Sequence, residues 1–115
     1  MFPYENLEVY KKAFELNRRI YRIIKEKNNL PSYLKSQLGR ACLSVVLNIA
    51  KGSGKYTDRD RKNFLAIARG STFESASILQ FLIAEKELSE NEQMGLISGF
   101  DEVSRMLFKM IKNLQ

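Results

Sequence analysis

Between Gln37 and Glu74 the chain reads QLGRACLSVVLNIAKGSGKYTDRDRKNFLAIARGSTFE, two apolar helical patterns joined by a glycine-rich turn. In the first pattern Gln37, Arg40, Ser44 and Asn48 recur every three or four positions inside an otherwise apolar helix, so they share one stripe. Such a stripe is either a polar seam inside the fold or a contact surface. Whichever it is, the segment commits the chain to helix packing and contains no reaction centre.

The remainder extends the pattern to four helices. Asn6 is placed to cap a first helix with Leu7, Tyr10, Phe14, Tyr21 and Ile24 inward, ended by Asn28 and Asn29. Pro31 and Ser32 open a second helix that runs to Lys51, with Leu34, Leu38, Ala41, Val45 and Ile49 inward and Gly52 as a left-handed cap. Thr57 caps the third, with Asp58 and Asp60 in its positive first turn. Ser89 and Glu92 form a capping box for the fourth, whose apolar face is Ile97, Phe100, Val103, Leu107, Met110, Ile111 and Leu114. No segment alternates like a strand and the connections are short. The expected fold is therefore all-α, a single domain over residues 1–115 built as an antiparallel up-down four-helix bundle.

Two features point beyond a monomer. The first helix carries a second apolar stripe (Val9, Ala13, Leu16, Ile20, Ile23), and the third is apolar on several sides, with Phe64, Leu65, Ile67, Phe73, Ile78, Leu79, Phe81, Leu82 and Ile83 spread around it. Surplus apolar surface is most simply buried between subunits, so a homo-oligomer is expected. If Lys51 and Asp58 sit level at the hairpin, ideal helix rise pairs Gly39 with Gly70 as a close helix crossing and brings Arg40 within about a turn of Glu74, as a structural polar pair.

Chemistry is excluded more firmly than it is suggested. With no histidine and one cysteine, the commonest general base and any internal disulfide are missing, and Cys42 sits among Ala41, Leu43 and Val45 as a small buried hydrophobe would. The string Gly52-Ser53-Gly54-Lys55-Tyr56-Thr57 fails as a nucleotide-hydrolysing loop: it follows a helix, has Ile49 where a glycine belongs, and Tyr56 where Ser or Thr should follow the lysine. It is either a glycine-rich turn with solvated lysines or, through Lys51, Lys55 and the amides opening the third helix, a phosphate contact. No catalytic, cofactor or metal constellation emerges, so the expectation is a non-enzyme without a cofactor. The start MFPYENLEVYKK lacks a signal-peptide core, and the run Ala41 to Ala50 is too short to span a bilayer, which implies a cytoplasmic protein with no membrane partner.

Charge supplies the partner hypothesis. Residues 1–56 hold eleven Lys/Arg against four Glu, a net of +7, whereas residues 57–115 hold eight against nine acids, a net of −1. On the first helix Lys11, Arg18 and Lys25 fall at heptad intervals with Arg22 beside them, while Glu8-Lys12 and Glu15-Arg19 are spaced to neutralise each other. The uncompensated row is the expected footprint for RNA or single-stranded nucleic acid, with Lys51, Lys55 and Tyr56 as a second contact. A protein-interaction scaffold with a merely solvated or acid-binding row is the alternative.

The runs Gln37-Leu38-Gly39-Arg40-Ala41, Ser44-Val45-Val46-Leu47-Asn48-Ile49-Ala50-Lys51-Gly52 and Ile67-Ala68-Arg69-Gly70-Ser71-Thr72-Phe73-Glu74 resemble the bacterial family of 23S rRNA intervening-sequence proteins. So do the opening Leu7-Glu8-Val9-Tyr10-Lys11-Lys12-Ala13 and Met106-Leu107 near the end. The resemblance implies a homopentameric barrel of antiparallel bundles, encoded in some bacteria within insertions of the large ribosomal RNA gene, with no established enzymatic activity. A related branch, the accessory variability determinants of diversity-generating retroelements, implies by analogy a basic surface that binds nucleic acid and a nucleic-acid enzyme, a reverse transcriptase. Two departures stand out: Lys51 where the family usually has an acid, and Val46-Leu47 where it often has a proline.

Overall fold

The computed structural model describes residues 1–114. A 3-10 turn, Pro3–Asn6, precedes helix α1 (Glu8–Glu26); α2 (Ser32–Ser53), α3 (Asp58–Ala84), a one-turn α4 (Glu90–Gln93) and α5 (Leu96–Asn113) follow. Four long helices form the bundle, and the described residues contain no strand. α1 packs on α2 and α5, and α3 packs on the same two, so the four close into a ring around one core. At about 1.5 Å per residue α3 is roughly 40 Å long, which accounts for most of the molecule's 44 Å long axis.

Local signals explain most boundaries. Thr57 Oγ1 accepts the Asp60 N–H at 3.1 Å, as its position before two acids predicts. Ser89 and Glu92 exchange both capping-box bonds, at 3.1 and 2.8 Å, but they cap α4 and not α5. Between the two lies Gly95 at φ +78°, a left-handed turn that favours glycine and lets α5 begin at Leu96. Two expected caps are absent. Asn6 ends the 3-10 turn, and Leu7 takes the N-cap of α1 without a side-chain bond. Gly52 stays helical, and α2 runs to Ser53 before closing at Gly54, φ −91°. Gly52 is needed for its missing side chain: a Cβ there would stand 3.3 Å from Phe64 Cβ.

The core inverts the expected faces of α1. Val9, Ala13, Leu16, Ile20 and Ile23 are buried, while Phe14 is 44% and Tyr21 63% exposed. Both stripes obey helical spacing, so periodicity alone could not choose between them. The aliphatic stripe interdigitates without polar atoms, whereas a buried Tyr21 hydroxyl would need a partner. From the other helices Leu38, Cys42, Val45, Ile49, Leu65, Leu79, Leu82, Phe100, Val103 and Leu107 complete the centre.

The polar stripe of α2 divides in two. Gln37 and Arg40 are exposed, but Ser44 and Asn48 form a seam against α3. Ser44 Oγ meets Ser71 Oγ at 2.8 Å, Asn48 Nδ2 donates to the Ser44 carbonyl and hydroxyl at 2.9 and 3.0 Å, and the Cys42 thiol reaches Ser75 Oγ at 3.4 Å. Among the described residues no buried side-chain polar atom lacks a partner, so the seam avoids the cost of unsatisfied groups.

Those same contacts correct the expected register. An even count from the hairpin sets Ser44 level with Leu65, yet it meets Ser71, and Gly52 lies beside Phe64. The connection carries the chain past the end of α2, and α3 begins alongside it, with Arg61 Nε donating to the Lys55 carbonyl at 2.8 Å. Gly39 and Gly70 therefore do not cross. A Cβ on Gly39 would approach Ile24 Cδ1 of α1 at 3.3 Å, and one on Gly70 would meet nothing within 4 Å. Arg40 likewise bonds Ser36 Oγ at 3.2 Å and forms no pair with the exposed Glu74. The tightest glycine is Gly99, where a Cβ would stand 2.7 Å from Leu16 Cδ2.

Candidate nucleic-acid interface

Burying the aliphatic stripe of α1 turns its aromatic and basic residues outward. Between α1 and α2 they border a groove of about 880 Å³ with Ile20, Ile24, Gly39 and Leu43 along its apolar floor. Arg18, Arg22 and Lys25 of α1 and Lys35 of α2 line it, with Glu26 as its one acid. Gly39 matters here because its bare backbone lets α1 come close through Ile24. Lys35 was not legible as a member of the row, since only the packing of α2 on α1 places it opposite.

The ion pairs differ from the expected ones. Glu8 pairs with Lys11 at 3.4 Å and Glu15 with Arg18 at 3.1 Å, so two members of the row have carboxylate neighbours. Lys12 instead reaches across to Glu102 of α5 at 2.9 Å, and Arg19 donates to the Glu92 carbonyl at 3.2 Å. Lys12 and Arg19 lie on the side of α1 that faces α5 and the α4 turn, which brings these tertiary acceptors within reach. Exposed pairs of this kind are worth about 0–1 kcal/mol, so a phosphate can displace the carboxylates of Glu8 and Glu15. Arg22, Lys25 and Lys35 form no ion pair among the described residues and are the free charges of the groove.

A second hollow, of about 630 Å³, lies toward the start of α1, lined by Phe2, Tyr4, Tyr10, Lys11 and Phe14 together with two acids, Glu5 and Glu15. Its rings contact in sequence: Phe2 stacks on Tyr4 at 5.4 Å, and the tilted pairs Tyr4–Tyr10 and Tyr10–Phe14 follow at 4.7 and 5.9 Å between centroids. Partial burial, with Tyr4 and Glu5 adding to it, raises the Tyr10 hydroxyl above its usual range and keeps it protonated. Heptad counting of cations overlooked this row, although Phe14 and Tyr21 are themselves seven residues apart.

Lys51, Lys55 and Tyr56 stand elsewhere. Lys51 lies in the last turn of α2 and Lys55 and Tyr56 in the connection that follows, near the start of α1, where Gly52 and Ser53 share a small apolar cavity with Leu7. Tyr56 is 97% exposed, and the Lys55 ammonium lies 4.8 Å from the Phe64 ring centre. The α3 N-terminus is already served by the Thr57 hydroxyl and by Asp58 and Asp60, an arrangement that repels a phosphate there. Cys42 is buried, and desolvation pushes its thiol up to about 12 despite the Ser75 hydrogen bond, so it is not poised as a nucleophile.

Away from the groove, Ile67, Phe73 and Phe81 of α3 are half exposed, as are Leu47 of α2 and Phe108 of α5. The Arg69 guanidinium is held between Phe73 and Phe108, 4.7 and 5.0 Å from their ring centres, and its Nε donates to the Ser104 carbonyl at 3.3 Å. Among the described residues no helix is long and apolar enough to cross a membrane.

The family model described as 23S rRNA-intervening sequence protein matches residues 5–109. A solved structure, that of a protein with unknown function from the S23 ribosomal protein family of Bacteroides thetaiotaomicron, superposes with a TM-score of 0.82 at 23% identity, covering 90% of this chain and 98% of that one. That likeness carries the fold. No curated protein matches the chain.

Proposed function

This chain belongs to the 23S rRNA-intervening sequence protein family, and from that premise we propose that it is a non-enzymatic, cytoplasmic homo-oligomer that binds RNA or other nucleic acid through the α1–α2 groove with little sequence specificity. The observation that carries the reading is the convergence of Arg18, Arg22, Lys25 and Lys35 on one groove, with Glu26 as the one acid lining it and Glu15 paired with Arg18. Cations so arranged neutralise phosphates and read no base edges. Four phosphate contacts to a single strand give a slope of log K against log salt of about −3, and avidity across subunits steepens it.

The oligomer is inferred from the apolar face of α3, and the pentamer from the family likeness. Rising positions on α1 meet falling positions on the chain's last third, Lys12 with Glu102 and Arg19 with Glu92, which supports the up-down arrangement of the bundle. Kinship to the accessory variability determinants, and with it a nucleic-acid enzyme as partner, belongs to the same reading. The scaffold alternative draws on the Arg69, Phe73 and Phe108 cluster, a surface suited to protein.

Anisotropy of labelled RNA against protein, repeated over a salt series, tests the reading. Binding with a steep slope in the wild type is expected, abolished by Arg22→Glu, Lys25→Glu and Lys35→Glu together. No binding at low salt, or a triple variant that binds as well, leaves the scaffold as the better account. Sedimentation equilibrium tests assembly, and a stable monomer refutes it.

A further inference from the structure

Along α1 the outward residues Lys11, Phe14, Arg18, Tyr21 and Lys25 alternate cation and ring at spacings of three and four, so the five share one face. At about 1.5 Å rise per residue the row spans roughly 21 Å, with cations about 10 Å apart and a ring between each pair. It runs from the hollow holding Lys11 and Phe14 into the groove holding Arg18, Tyr21 and Lys25. We propose that this row is a single-strand track, with phosphates on the cations and unpaired bases stacked on Phe14 and Tyr21. The inference rests on the nucleic-acid reading of the groove and adds the ligand's strandedness and the groups that recognise it.

Two observations favour a strand over a second copy of the chain on this face. Subunit interfaces are depleted of charge at their centres, and this row places a cation at every other position. The exposed side of α3, by contrast, offers Ala66, Ile67, Gly70, Phe73, Ser77 and Phe81, mostly apolar with Glu74 as the one charge among them, which suits self-association. The rings are also accessible and oriented. Phe14 is steadied by Tyr10 at 5.9 Å, and Tyr21 keeps 63% of its surface in solvent. In a duplex the bases are stacked on each other, so only the phosphate contacts remain to it.

The test compares one labelled oligonucleotide as a single strand and as a duplex, with wild type and with Phe14→Leu/Tyr21→Leu. Stacking of about 1–3 kcal/mol per base corresponds to roughly 5- to 150-fold per ring, so the variant should lose about twentyfold or more on the single strand while duplex affinity and salt slope stay unchanged. Tyrosine fluorescence, uncomplicated because the chain has no tryptophan, should be quenched by the single strand in the wild type and much less in the Tyr21→Leu variant. Equal binding of duplex and single strand, or an unaffected variant, overturns the track and leaves the phosphate-binding groove standing. Absence of binding by the wild type to either ligand at low salt overturns both.

Discussion

Replacing Gly99 by alanine probes the contact that brings α5 against α1. The new Cβ would stand 2.7 Å from Leu16 Cδ2, 3.3 Å from Cδ1 and 3.5 Å from Cγ. Leu16 is only 7% exposed, so its tip has little freedom to swing away. Two effects oppose one another. Alanine is better than glycine in a helix interior by about 1 kcal/mol, whereas an extra methyl forced into a packed core costs about 1–3 kcal/mol. Gly99→Ala alone should therefore fall between neutral and about 2 kcal/mol destabilising. Leu16→Ala removes the three obstructing atoms, and in that background the same change should stabilise by about 1 kcal/mol, because only propensity remains. Urea unfolding of the four proteins, followed by far-ultraviolet circular dichroism at one concentration, yields the coupling, expected at about 1–3 kcal/mol. An equal effect of Gly99→Ala in both backgrounds would refute the close contact.

Gly70→Ala should stabilise the dissociated chain by about 0.5–1 kcal/mol in the same assay, since the glycine is mid-helix with no atom within 4 Å of a built Cβ; a loss would mean a neighbour lies there. Thr57→Ala should cost about 1 kcal/mol through the orphaned Asp60 N–H, and an unchanged urea midpoint would remove the cap from the account. Cys42, held protonated by burial up to about 12 from 9.0, stabilises the fold fully below pH 9.0 and loses that contribution as pH rises toward about 12, at about 1.4 kcal/mol per unit; Cys42→Ala should show a shallower alkaline fall, and parallel curves would count against it. The Ser89 N–H bond, aided by Lys27, holds the Glu92 carboxyl below 4.5. Its contribution is present above pH 4.5 and is lost as pH falls through the lowered value, so Glu92→Gln should flatten the acid limb of stability.

The four long helices, the Thr57 cap and the bonds of the Ser89/Glu92 box were legible in the sequence because they rest on local spacing, whereas the one-turn α4 that the box caps in place of α5 was not. So was the inertness of Cys42, flanked by apolar neighbours on its own helix. Charge asymmetry also marked residues 1–56 as the basic half, and heptad spacing placed a row of its cations on α1, without any structure.

Only tertiary packing decided which stripe of α1 turns inward, since both carry valid helical spacing and the choice rests on aliphatic interdigitation across helices. It decided the α2–α3 register as well. Helix rise sets the length of each rod, but how far the connection carries α3 past the end of α2 is settled by Gly52 against Phe64 and by the serine seam. The ion pairs moved for the same reason, because Glu102 reaches Lys12 from another helix. Lys35 joins the candidate site, and Lys51, Lys55 and Tyr56 stand apart from its centre, through the way α2 lies on α1. Local order follows from interactions a few residues long, whereas a groove between helices exists only once their side chains have chosen a common packing.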